Sequence, residues 1–311
     1  MRKTSWRIAQ GVAGALILFF LVRKFIAGWK DVQDQQIQWH FRPEYLVAAL
    51  IVTWAMYGVL IWGWRAVLNG WRESLRIVDA ARIWTISSLG SYIPGKVWAI
   101  AGMALMAQER GVSGAAATGS AVIMQLISIA TGAILGLALI GTNVLDRAVG
   151  SSGSMLAIAL ALLALIGAIA LTSPSLTRRV GFLLGRPDAV RPVDPGALAE
   201  ALFANLAAWT GYGIALQLTA AGSLRGVELS WAEATGAFAA SYIIGYLAIF
   251  LPGGLGVREA VLVLLVKNSI GLPNALALAA VSRIVLTINQ VGAAVPFLIF
   301  RSRQRVTSKS G

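Results

Sequence analysis

The chain has 311 residues, of which 58% are hydrophobic and only 13% charged, about half the charge of an ordinary soluble domain. Cysteine is absent and His40 is the single histidine, which excludes disulfides, thiolate metal sites and a cysteine nucleophile. The formal net charge is +13. Apolar runs of about 20 residues recur along the whole length, which excludes a soluble fold. Lys and Arg fall mostly in the polar segments between them, where they set orientation and meet anionic lipid headgroups. No nucleic-acid partner is therefore expected. The fold class that follows is all-α: a polytopic integral membrane protein, one membrane domain over residues 1–311.

Residues 8–22 are apolar behind Arg2, Lys3 and Arg7 and are followed by Arg23 and Lys24. No small-residue cleavage site follows, so this reads as a retained first helix. Residues 25–43 read as a polar interfacial loop. Residues 44–68 are the second span, with Trp54, Trp62 and Trp64 suiting an interface belt. A basic loop follows with Arg65, Arg72, Arg76 and Arg82. Residues 83–107 are apolar but carry Tyr92-Ile93-Pro94-Gly95-Lys96 in their middle. Proline lacks an N–H and drives the preceding residue out of the helical region, so the segment breaks there. Residues 114–141 form a span rich in Gly, Ala and Ser, the residues that let membrane helices approach closely. Residues 154–172 are another span, and 173–196 read as the longest loop, with Arg178, Arg179, Arg186 and Arg191.

Residues 197–221 are the next span. The break then recurs: 231–251 and 254–267 flank Phe250-Leu251-Pro252-Gly253-Gly254, followed by Arg258 and Glu259. Residues 272–300 are the last span, and a basic tail ends the chain. The run 254–267 has 14 residues, about 21 Å of helix against a hydrocarbon core of about 30 Å. Two re-entrant helical hairpins turning at Pro-Gly are the natural reading, because irregular backbone at that depth is tolerated only inside protein or beside water. If each hairpin returns to its own side and both termini are cytoplasmic, the inner segments hold sixteen Lys and Arg and the outer ones seven, in keeping with the positive-inside rule. The two hairpins then enter from opposite sides. Repeat 1, about 44–141, and repeat 2, about 197–300, form an inverted repeat, an architecture of alternating-access transporters.

Three cations remain within the membrane segments: Lys96, Arg258 and Arg283. Such groups are functional hypotheses by default. Glycines at helix starts, Gly95, Gly253 and Gly254, offer backbone N–H groups to anions. Arg258 and Glu259 are adjacent, so on a helix they cannot face each other; Glu259 is expected to pair with Arg283. Gln125 lies 158 residues before Arg283, the offset that separates Pro94 from Pro252. Gln217, Asn289 and Gln290 read as hydrogen-bond glue between helices. The expected substrate-binding set is Pro94, Gly95, Lys96, Pro252, Gly253, Gly254, Arg258, Glu259 and Arg283. No catalytic residue, metal ligand or cofactor is expected, since no nucleophile elbow, phosphate loop, HExxH or carboxylate cluster occurs.

Ser91-Tyr92-Ile93-Pro94-Gly95-Lys96-Val97-Trp98, then Glu109-Arg110-Gly111, and Leu251-Pro252-Gly253-Gly254-Leu255-Gly256-Val257-Arg258-Glu259 resemble the lysylphosphatidylglycerol synthase transmembrane family. That family is the flippase-like membrane half of the bacterial multiple peptide resistance factor and includes stand-alone members. The resemblance covers roughly residues 8–300. It implies a flippase of the bacterial cytoplasmic membrane, moving a phospholipid or a polyprenyl-linked glycolipid between leaflets. The full-length factor carries an aminoacyl-transferase domain after its membrane part. This chain ends at Gly311, eleven residues past Phe300, so synthesis of the lysyl-lipid is not expected. Two other readings stay open: a small-solute or ion-coupled transporter, and a non-transporting membrane partner of a glycosyltransferase. Membrane lipids are the expected partners, and a homodimer is compatible with the sequence.

Overall fold

A computed structural model describes residues 37, 39–93, 97–142, 144, 146, 153–170, 172–183, 192–248 and 251–307. The expected first helix over 8–22 lies outside them, as do Pro94, Gly95 and Lys96. All described elements are helical. Helix α1 spans Pro43–Gly70 and α2 spans Ile77–Ser88, ending in a 3-10 turn over Leu89–Tyr92. Helix α3 spans Val97–Gln108, α4 Gly114–Ile140, α5 Gly153–Ala170 and α6 Pro174–Leu183. Helix α7 spans Pro195–Ser223 and α8 Trp231–Leu247. A second 3-10 turn over Pro252–Gly254 leads to α9, Val257–Ile270, and α10, Leu272–Thr307.

Helix starts follow local chemistry. Ser113, Asp194 and Ser230 each accept a hydrogen bond from the amide three residues on, satisfying an orphan donor at the start of α4, α7 and α8. Among the described residues, three helices are long and apolar enough to cross a membrane: α1, α4 and the Leu272–Ile299 part of α10. The chain is an all-α membrane protein.

The packing is organised by α1 and α7, which run antiparallel along their length. Gly63 faces Ala204, Gly70 faces Ala197, Met56 packs on Gly211 and Tyr45 on Gly222. A Cβ at Gly63 would stand 2.6 Å from that of Ala204, so the two backbones are as close as their side chains permit. In lipid there is no hydrophobic drive to bring helices together, and close packing of small residues supplies the attraction instead. Helices α4 and α8 pair in the same antiparallel way, with Gly136 on Ala240 and Gly236 on Ile140.

Both broken segments fold back on themselves. Gly90 lies against Ala99 and Gly102 against Ser87, which makes α2 and α3 a hairpin; Gly245 lies against Arg258, and Ser269 donates to Glu233, which does the same for α8 and α9. Each hairpin has its own core. Residues such as Trp64, Ile83 and Ile127 pack the first, and Phe238, Leu262 and Leu278 the second. Helix α7 contributes to both. The indole N–H of Trp64 donates to Ser120 Oγ at 2.9 Å and that of Trp209 to Thr131 Oγ1 at 3.1 Å, so α4 satisfies the buried tryptophans of α1 and α7.

Three expectations are corrected. The first broken segment starts at Ile77 rather than 83, because Asp79 is buried against Arg76 and Arg110 and the helix begins at that pairing. The same contact explains the Glu109-Arg110-Gly111 stretch: Arg110 pins the far arm of the hairpin to the near one. The 173–196 segment is not all loop. Pro174 at a first helical position suits the start of α6, and Leu176, Val180 and Leu183 recur at helical spacing behind it. Gln217 donates to Leu229 O at 2.7 Å, in the connection from α7 to α8, rather than to another helix.

Candidate functional site

The two breaks meet. The 3-10 turns at Leu89–Tyr92 and Pro252–Gly254 touch each other, and the Arg283 guanidinium stands 5.9 Å from the Tyr92 ring centroid. Ile93, ahead of Pro94, is extended at φ −90° and ψ 133°, as a residue before proline must be. The second break needs three left-handed glycines in a row of four: Gly253 at φ 57°, Gly254 at 69° and Gly256 at 83°. At Gly254 a Cβ would also stand 2.7 Å from Gly245 O, so only glycine closes this turn.

Beside the meeting point is a cavity of about 230 Å³. Every helix from α1 to α4 and from α7 to α10 contributes to its wall. Arg258 at the start of α9 is buried, 7% exposed. Its guanidinium stacks over Phe238 at 4.9 Å and over Tyr242 at 5.2 Å, a cation–π arrangement that holds the charge where water is scarce. The Phe238 ring is in turn stacked on Tyr212, with centroids 5.3 Å apart. Arg283 on α10 donates from Nη1 to Gly253 O at 3.0 Å, and the same nitrogen lies 3.4 Å from Glu259 Oε1. Glu259 Oε2 accepts from the Gly256 amide at 2.7 Å, so this carboxylate caps its own helix while it neutralises Arg283.

Among the described residues, several polar atoms on this cavity are buried with no hydrogen-bond partner: Arg258 Nη2, Arg283 Nε and Nη2, and both side-chain amide atoms of Asn289. Buried donors normally find partners, and each exception calls for an explanation. A family model described as the lysylphosphatidylglycerol synthase TM region matches residues 7–293. The chain belongs to that family. Individually curated proteins give no match.

In this lysylphosphatidylglycerol synthase TM region protein, the residues singled out from sequence fall into three groups. Arg258, Arg283 and Gly253 line the cavity together, and Glu259 is tied to them through Arg283 as the pairing anticipated. Gly254 is used differently from expectation: its amide donates to Leu251 O inside the turn, and Gly253 offers Arg283 its carbonyl rather than an N–H. Pro252 is the first residue of the 3-10 turn, and Pro94, Gly95 and Lys96 are outside the described residues.

Gln125, Gln290 and Asn289 also reach the cavity, and Gln290 bonds the Tyr57 side chain of α1 across it. Sequence reasoning missed the aromatic wall. A signal was present: Phe238, Tyr242 and Tyr246 recur every fourth residue on α8 and so share one face, and all three line the cavity, with Trp209 and Tyr212 from α7.

Proposed function

We propose that this protein carries a lipid with an anionic headgroup between membrane leaflets, the headgroup passing through the cavity where the hairpins meet. One observation carries the reading: two guanidiniums, Arg258 and Arg283, held inside the apolar part of the protein with N–H groups that find no partner among the described residues. Leaving such donors empty is costly, and a transient anion would fill them. The family membership supports a lipid substrate, and the open space at the centre favours transport over a passive membrane partner.

The hairpins fit the re-entrant reading. Helices α2 and α3 have 12 residues each and α9 has 14, about 18–21 Å, too short for a hydrocarbon core of about 30 Å. The antiparallel α1–α7 pairing supports an inverted repeat, since these helices hold the same place before each hairpin. In this reading the protein sits in the bacterial cytoplasmic membrane with both termini inside, and it transports rather than catalyses.

The test is headgroup transfer of a tagged anionic phospholipid in liposomes. Arg258→Ala and Arg283→Ala are expected to slow transfer by at least about tenfold, equivalent to 1.4 kcal/mol on the barrier, while keeping helicity and a single species in detergent. Lys96→Ala should slow it too, with Lys96→Arg milder, since the two cations share charge but differ in shape and hydration. Transfer at the unmodified rate in all three alanine variants would refute the proposal.

A further inference from the structure

Helix α6 takes no part in lining the cavity, and its position is fixed by the helix before it. Helix α5 carries no charge and leaves Leu162, Leu163, Ile166 and Ile169 exposed, a surface that suits lipid. The chain then turns tightly: the amides of Thr172 and Ser173 donate to Ile169 O at 2.9 Å and Ala170 O at 3.1 Å. Pro174 starts α6 at once. The end of an apolar, lipid-facing helix lies at headgroup depth, so the turn holds α6 there as well.

The two long faces of α6 differ. By helical register Leu176, Val180 and Leu183 share one face, and Arg178 and Arg179 lie on the other. Thr177 is buried, 1% exposed, with its hydroxyl donating to Ser173 O at 2.9 Å. Leu176 beside it stays 39% exposed, and both arginines are exposed. The protein therefore covers the flank at Thr177 and leaves an apolar residue and two cations uncovered. Neither arginine makes an ion pair among the described residues, and α6 contains no acid. A short helix with leucine on one face and arginine on the other suits the plane of the interface, its apolar side at the acyl boundary and its cations among headgroups.

We infer that α6 is a lipid-binding surface separate from the cavity, lying in the membrane plane and taking anionic phospholipid headgroups on Arg178 and Arg179 while Leu176 seats at the acyl boundary. Recognition here is by charge: two exposed arginines without a fixed polar cradle attract any anionic headgroup. The inference stands whether or not the protein transports lipid.

The absence of cysteine allows a direct test on the full chain. Leu176→Cys and Ser175→Cys are each spin-labelled and placed in nanodiscs of phosphatidylcholine, with or without phosphatidylglycerol. Collision with oxygen reports lipid, and collision with a neutral nickel chelate reports water. With phosphatidylglycerol present, the Leu176 label is expected to meet oxygen and the Ser175 label the chelate. In pure phosphatidylcholine the Leu176 label should shift toward the chelate. Arg178→Gln and Arg179→Gln, added to the Leu176→Cys protein, should each lower the ratio of seated to water-exposed helix in the phosphatidylglycerol discs about fivefold, equivalent to about 1 kcal/mol per cation. Raised salt should act in the same direction. Lysine at both positions should keep the seat, because charge and not fork geometry is what the surface uses.

A Leu176 label that meets the chelate freely in phosphatidylglycerol discs would overturn the inference. So would a label shielded from both reagents, which marks a protein contact on this face. Equal depth in the two lipid compositions, with no response to the glutamine variants, would remove the anionic headgroup from the account.

Discussion

At the scale of single residues, the site is a problem of buried charge. Among the described residues no carboxylate lies within salt-bridge reach of Arg258, and the rings of Phe238 and Tyr242 share its burden. Arg283 is instead neutralised by Glu259, and Glu259 also caps α9. Removing that carboxylate leaves a cation uncompensated and a helix start uncapped together. Glu259→Gln is expected to lower the stability of the solubilised protein by about 1.5–3 kcal/mol, the loss of a charge-assisted hydrogen bond. Glu228→Gln, on the exposed connection before α8, should leave the melting temperature nearly unchanged. Equal melting temperatures for the two variants would show that the Glu259–Arg283 contact is not formed in the folded protein.

At the scale of elements, small residues set the distances between helices. Gly63 and Ala204 are the tightest point of the α1–α7 pair that yields to a simple exchange. Gly63→Ala places two methyl groups 2.6 Å apart, and overpacking of that kind costs about 1–3 kcal/mol. Ala204→Gly removes the opposing methyl, after which the next atom is the Ala201 Cα at 3.4 Å, an ordinary contact. The double variant is therefore expected to recover most of the lost melting temperature, with a coupling energy that two independent sites would not show. Additive losses would place α1 and α7 farther apart than described.

At the scale of the whole molecule, orientation and repeat symmetry are linked. If both termini are cytoplasmic, as proposed, α6 lies on the inner side and the two hairpins enter from opposite faces. The absence of cysteine makes this directly measurable. Ser175→Cys, exposed at the start of α6, is expected to escape an impermeant thiol reagent in intact cells and to react after the cells are opened. Labelling in intact cells would invert the orientation of this segment and remove the argument for hairpins of opposite entry.

Hydropathy made the all-helical membrane class legible, because a chain in lipid has to satisfy its backbone within helices. The paired breaks were legible for a similar local reason: proline and consecutive glycines act on the backbone whatever surrounds them. The Glu259–Arg283 contact was also within reach, since a charge inside an apolar segment needs a partner and few are available. Helix α6 was hidden because two arginines and a proline mask a short apolar stripe. The early start of α2 was hidden because Arg110, thirty-one residues away, is what lets Asp79 sit in a helix. The cavity was out of reach for the same reason on a larger scale. Phe238, Tyr242 and Arg258 come from the two arms of one hairpin, Arg283 and Asn289 from the helix after it, and Gln125 from the other half of the chain. Their meeting depends on the antiparallel packing of α1 on α7 and of α4 on α8, a property of surfaces that fit and not of spacing along the chain.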